Sequence, residues 1–470
     1  MQAQDREYNL RHKAIGPLFL SYSLPAVVGM VVQALYNVID RFFVGNIPEV
    51  GAVAIGALGV ALPVIFLTFG MTMLFGIGAA ANISIKLGQG DREGAYKIFG
   101  NAMLMLFLSS LTMNLIIQPN IEFILKLFGA TEGNLPFAKT YLRIYLIGNM
   151  WNTFAFAFNH ITRAEGNPKR AMVAMFIGAG SNIVLDFLFI NIFHWGVAGA
   201  AYATIIAQFL SFAWGAIYFF RNKSSIQFKR RYLKPDFSVI KRIISIGFSP
   251  FFMQIGASLI GLILNNSLKL HGGELAQGAY AIINSVSSLF FMPIFGMNQG
   301  MQPIVGYNYG AGNYDRVKQA FKVALRAALV VMTIGWIVVQ FFTGLLVTPM
   351  TNDPELRSLT QDGMRLFLLM MPIVAPTIIG SNFFQAIGKA KLAFITTVCR
   401  QFLILIPLLL VLPRFFGLRG IWYSPIISDS LTFLIVVYLL RREFKRMEDG
   451  ILEPDELEAK MKLKEQEIYK

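Results

Sequence analysis

Two aspartates in this chain each sit on a polar stripe of an otherwise apolar segment. Gln33, Asn37 and Asp40 fall at i, i+4 and i+7, which is one face of a helix, and Tyr36 precedes Asp40 by one turn. Asn182 and Asp186 share a face at i and i+4, and Thr204 lies about two turns into the next apolar segment. Together these side chains offer two carboxylates, amides and hydroxyls, hard oxygen donors that suit a proton or a small hard cation. Adjacent carboxylates resist being ionised together, so such a pair can hold and release a proton. A plainer reading also fits: Asp40 caps the end of its helix beside Arg41, and Asp186 bonds a neighbouring helix.

The elements that position these residues are transmembrane helices. The 470 residues are 55% hydrophobic and 14% charged, with a mean hydropathy of +0.57. That charged fraction is well below the ~25% of soluble proteins. Apolar spans fall near 17–44, 52–79, 98–118, 138–161, 171–191, 197–220, 243–267, 277–300, 321–346, 358–384, 392–412 and 420–440. Each is long enough for ~30 Å of hydrocarbon at ~1.5 Å per residue. The expected fold is therefore all-α: a polytopic membrane protein of twelve helices. The net charge of +15 is concentrated in alternate loops and the tail. That pattern predicts a cytoplasmic N-terminus and, with an even span count, a cytoplasmic C-terminus. The basic charge thus belongs to topology and to contact with the lipid bilayer, and nucleic acid is not an expected partner. Counted from the outer ends, Asp40 and Asp186 lie ~6–8 Å deep and Thr204 ~10 Å deep.

The chain also repeats itself. Ser23-Leu-Pro25 opens the first span and Phe248-Ser-Pro250 the seventh. Lys86-Leu-Gly-Gln-Gly-Asp-Arg92 is answered by Asn308-Tyr-Gly-Ala-Gly-Asn313, with the glycines 222 positions on. Arg163-Ala-Glu-Gly166 is answered by Gln385-Ala-Ile-Gly388, and Gly196-Val-Ala-Gly199 by Gly417-Leu-Arg-Gly420. Six spans return the chain to its starting side, so the halves share one orientation and a site is expected between them. This gives a cytoplasmic N-terminus at 1–16, an N-lobe at 17–220, a basic linker at 221–242, a C-lobe at 243–440 and a charged tail at 441–470. The two lobes are not chemically equal. Asp40 maps to Asn265, and the Asn182/Asp186 pair maps into the apolar run Ile404–Leu408, which favours one ion site in the N-lobe.

Other intramembrane charges have duller accounts. Arg143, Arg326 and Arg365 lie near span ends and can snorkel. Arg400 and Asp429, both near mid-depth on helices eleven and twelve, read as a structural salt bridge. Pro25, Pro63, Pro250 and Pro407 each remove a helical hydrogen bond, and Pro25 could let helix one bend with the charge state of Asp40. The lone Cys399 precludes an intramolecular disulfide, and no cleavable signal peptide is visible. With four scattered His, no HExxH, no GxSxG and no P-loop, neither an enzyme nor nucleotide coupling is expected, and no organic cofactor is called for.

The runs Gln33–Gly45, Asn182–Asp186, Gly196–Thr204 and Gly300–Gly310 resemble the MATE (multidrug and toxic compound extrusion) transporter family across nearly the whole chain. The resemblance implies a V-shaped pair of pseudo-symmetric six-helix lobes, monomeric, in a cell membrane. Such a protein exports small organic compounds, mainly lipophilic cations, in exchange for H+ or Na+. It places the cation-coupling carboxylates on Asp40 and Asp186, the amide on Asn182 and the hydroxyl on Thr204, with Tyr36 as partner; the same four oxygens would hold Na+. It makes Asn159 a cavity-facing polar residue; Gln33 and Asn37 on the first polar stripe, and Asn152, are further substrate-binding candidates on the residues themselves. Two departures stand out. Phe187 follows Asp186 where the family commonly has Pro, which implies a straighter fifth helix. Helix seven carries Gln254 where some branches carry an acid, which weakens any second coupling site. The competing reading is a flippase for a lipid-linked oligosaccharide. Those proteins line their bore with several Arg for pyrophosphate, and Arg400 is the main one this sequence places inside.

Overall fold

The computed structural model describes residues 2–47, 50–221 and 224–449; the side chains of 2–4, Asn37 and Ala52 fall outside it, as does the tail reading beyond 449. A short helix, Gln2–His12, precedes the first long one. The long helices are α1 (Ile15–Gly45), α2 (Gly51–Gly88), α3 (Arg92–Ile117), α4 (Leu135–Ala164), α5 (Pro168–Asp186, continued by a π-helical Phe187–Ile192) and α6 (Gly196–Phe220). The second set begins with Phe237–Gly310, which breaks at Gly273 (φ 64°, ψ −159°) into α7 and α8. It continues with α9 (Tyr314–Phe341), α10 (Pro354–Phe367 and Met371–Ala386, bent by 51°), α11 (Ala390–Phe416, π-helical over Cys399–Leu405) and α12 (Leu418–Glu448).

Most of these runs are apolar enough to cross a bilayer on composition alone; α4 is the exception. Its 30 residues are ample to span, but Lys139, Arg143, Asn149, Asn152 and Asn159 dilute its hydropathy. A helix that turns a polar face inward has to look this way. The helices also outrun the apolar segments. α2 continues to Gly88 and α3 starts at Arg92, with only Gln89–Asp91 between them. The sequence spans stop at 79 and restart at 98 because hydropathy registers hydrocarbon, whereas the helix ends where a cap ends it. Here Asp91 Oδ1 accepts from the Gly94 N–H at 2.8 Å.

The repeat has a backbone counterpart. Gly90 and Gly312 adopt φ 73° and 72°, Gly166 and Gly388 φ 93° and 78°, and Gly196 and Gly417 φ 56° and 55°. The turns that punctuate the two halves are thus the same turns, held open by residues that tolerate the left-handed region.

The lobes meet backbone to backbone near the end that carries the 89–91 and 311–313 turns, called here the basic end. A Cβ on Gly88 would lie 2.0 Å from the Tyr307 carbonyl oxygen, and one on Gly310 would lie 2.1 Å from that of Ile85. One on Gly247 would lie 1.7 Å from the Leu74 oxygen. Small residues give this closeness in a medium where burial alone does not drive helices together. The N-terminal helix lies across the same end. Glu7 pairs with Arg92 at 3.0 Å, and the Leu10 carbonyl accepts from Asn308 Nδ2 at 3.1 Å.

Candidate functional site

The N-lobe carboxylates lie together. Asp40, in the last turns of α1, and Asp186, the final α-helical residue of α5, are within hydrogen-bond reach of each other. Asp186 is fully buried, at 0% exposure. With its nitrogen turned to the carboxylate, the Asn182 amide donates to Asp186 Oδ2 at 2.7 Å, and its oxygen accepts from the Thr204 N–H at 3.3 Å. The Thr204 hydroxyl donates to the Ala200 carbonyl at 3.0 Å. The Tyr36 hydroxyl lies close to that same hydroxyl, so α1, α5 and α6 converge on one small polar volume.

Helix four adds two residues that were not picked out from sequence. Tyr141 reaches Thr204, and Tyr145 reaches Thr68 and Asn152. Their rings stack 6.3 Å apart at 11°. The signal was present as two tyrosines at i, i+4 on the least apolar span. Immediately after Asp186 the backbone widens into a π-helical stretch, Phe187–Ile192. Phe187 keeps the N–H that Pro would remove and the fifth helix runs on past Asp186, in π rather than α geometry. The Phe189 ring stacks on Trp195 at 4.8 Å on the far side of this stretch.

Beside the carboxylates lies a cavity of about 540 Å³ between the lobes. Gln33, Tyr36, Asn152, Asn159, Asn182 and Thr204 line it, whereas Asp40 and Asp186 are not part of the lining. The C-lobe contributes Gln254, Asn298, Gln299 and Asn382. Asn159 is already committed: its amide donates to the Ala171 carbonyl at 2.7 Å, and its oxygen accepts from Arg163.

Arg163 is the principal correction to the sequence reading. Hydropathy ends the fourth span at 161, which places this arginine in a cytoplasmic loop and leaves Arg400 as the main interior guanidinium. Instead α4 runs to Ala164, and Arg163 is 3% exposed and lines the cavity with His160. The missed signal is the stripe Asn152, Asn159, Arg163 at i, i+7 and i+11, which is one helix face. Arg400 Nε donates to Asp429 Oδ1 at 2.9 Å, away from the cavity lining.

The model of the MatE family matches this chain twice, over residues 25–188 and 250–411. The multidrug export protein MepA of Staphylococcus aureus strain MSSA476 is 28% identical over 447 residues, 92% of this chain and 96% of that protein. The MepA protein of Staphylococcus saprophyticus is 28% identical over 436 residues, 90% and 93% of the two chains. The solved outward-facing structure of a multidrug resistance MATE family transporter of the MOP superfamily superposes with a TM-score of 0.87 at 24% identity, covering 94% of this chain and 98% of that one. A MATE structure in the straight conformation superposes at 0.88, also at 24% identity, with the same coverage. The paired match over most of the chain and the shared twelve-helix fold show that this protein is a polytopic membrane protein of the MatE family.

Proposed function

We propose that the protein is a multidrug exporter of the cell membrane that moves organic, mainly cationic lipophilic compounds outward in exchange for H+ or Na+. The observation that carries this reading is the adjacency of a buried carboxyl pair to a drug-sized cavity through the shared side chains Tyr36, Asn182 and Thr204. Two carboxyls within hydrogen-bond reach need a proton or a cation between them. The same oxygens from Asp40, Asp186, Asn182 and Thr204 are the donor type that Na+ accepts. Loss of that ion changes the charge and contacts of side chains that also form the cavity wall, and this is the differential interaction that ion–substrate exchange requires. Bending of α1 at Pro25 is the accompanying motion in this reading. Sealing of the lobes at the basic end, taken as cytoplasmic, makes the cavity outward-facing. The similarity to MepA over nearly the full length of both chains supports drug export.

The flippase reading gains Arg163, but one cavity guanidinium falls short of the several arginines a pyrophosphate needs. The test is efflux of ethidium from proteoliposomes under a proton gradient and, separately, a sodium gradient. One gradient should drive efflux by the parent, and Asp40→Asn should abolish the dependence. Efflux driven by neither gradient would overturn antiport.

A further inference from the structure

The cavity wall has a sign. Of the described residues that line it, Arg163 alone carries a formal charge; the rest are amides, hydroxyls, His160 and apolar groups, with no Asp, Glu or Lys among them. The Arg163 guanidinium is held by neutral acceptors: the Asn159 and Gln299 side-chain oxygens and the Met175 sulfur, the last at 3.2 Å. Its Nε has no hydrogen-bond partner. Glu165 is two residues away but faces the linker, where its Oε2 accepts from the Ser224 hydroxyl at 2.6 Å and the Ser225 N–H at 2.9 Å. A buried guanidinium with no carboxylate counter-ion is costly, and an intramembrane charge that faces a cavity marks a substrate path. Around it the wall is soft and apolar, with Met30, Phe69, Met73, Phe156, Met175 and Phe295.

We propose that, among the compounds it exports, the cavity favours zwitterionic aromatic amphiphiles, in which a cationic ring system also carries a carboxylate, sulfonate or phosphate, and that Arg163 is the counter-ion of that acidic group. This deepens the export reading and rests on it. The anion takes the bidentate face of the guanidinium, replacing neutral amide oxygens with charged ones. The aromatic body lies against the methionine and phenylalanine wall. A purely cationic compound gains only the second set of contacts and brings its charge toward another cation.

The probes are a rhodamine bearing a free benzoate and the methyl ester of the same dye, which differ only in that carboxylate. Binding to the full chain in phosphatidylcholine nanodiscs is read by fluorescence anisotropy. The readout is the ratio of the two Kd values, which partial loss of folded protein does not move. The parent should bind the free acid about tenfold more tightly than the ester. In Arg163→Gln the ratio should fall to near one, and in Arg163→Lys, which keeps a point charge without the fork, it should fall several-fold. If Arg163→Gln does not fold, the Arg163→Lys ratio decides. A parent ratio near one, or an unchanged ratio in the variants, overturns the assignment while leaving export intact. Failure of the parent to bind either dye overturns both readings. Repeating the titration in phosphatidylglycerol discs separates the sources of the anion. Displacement of the acid dye there identifies a lipid phosphate at Arg163, and undiminished binding identifies the solute; either result supports the anion site.

Discussion

The two lobes share one backbone plan but spend their buried acids differently. In the N-lobe, Asp40 and Asp186 face each other, with Asn182, Thr204 and tyrosine hydroxyls around them; Arg41 acts on Asp40 only through its charge, and among the described residues no basic side chain forms a salt bridge with either carboxyl. In the C-lobe the position matching Asp40 is Asn265, which accepts from Gln277 Nε2 at 2.9 Å, and the buried acid Asp429 is paired with Arg400 at 2.9 Å. A neutralised pair has little reason to exchange its partner for a mobile ion, whereas a carboxyl pair without a fixed cation requires one. In the proposed reading, the difference separates an acid placed to hold helices from acids placed to exchange an ion, although both are intramembrane aspartates.

The contrast can be broken most severely from the N-lobe side. Asp186→Asn should lower gradient-driven efflux at least ~10-fold in proteoliposomes, with dye binding retained, because a neutral side chain cannot exchange the ion. The C-lobe pair should answer with stability. Arg400→Met should cost about 1–2 kcal/mol in thermal or denaturant unfolding, discounted because the arginine side chain is 32% exposed. The double change Arg400→Met with Asp429→Leu should recover most of that loss, and transport per folded molecule should stay at the parent level throughout. Tyr141→Phe removes one hydroxyl from the Thr204 cluster and should reduce coupled efflux about threefold, the scale of one hydrogen bond. The smallest effect is expected from Asn265→Asp: its site is exposed and, in the sequence repeat, the apolar run Ile404–Leu408 stands in place of the Asn182/Asp186 pair, so it should change efflux by less than about twofold and fail to rescue Asp40→Asn.

Much of this was legible in the residues, and the boundary of what was not has a physical cause. Hydropathy located the apolar spans because hydrocarbon imposes a length, and the glycine-centred turns exposed the repeat because left-handed backbone constrains residue type. Helical spacing and depth allow Asp40, Asn182, Asp186 and Thr204 to meet, but only the comparison of the two halves and the family resemblance favour that over helix capping and packing. Arg163 escaped because an apolar window ends where charge begins, whereas α4 continues inward past that point with its guanidinium turned to the cavity. Tyr141 and Tyr145 escaped because a tyrosine on a membrane helix is ordinarily read as an interface or packing residue. The π-helical stretch after Asp186 has no residue signature here, since Phe187 is compatible with a regular helix.

The most direct test of the N-lobe account is ion displacement on substrate binding. Purified parent and Asp40→Asn protein are each mixed with the benzoate rhodamine in weakly buffered solution, while proton release is read with a pH indicator and bound sodium with a radiotracer. The account predicts that dye binding releases a proton or a sodium ion from the parent and neither from Asp40→Asn, although both proteins bind the dye. Equal release from the two proteins would contradict it.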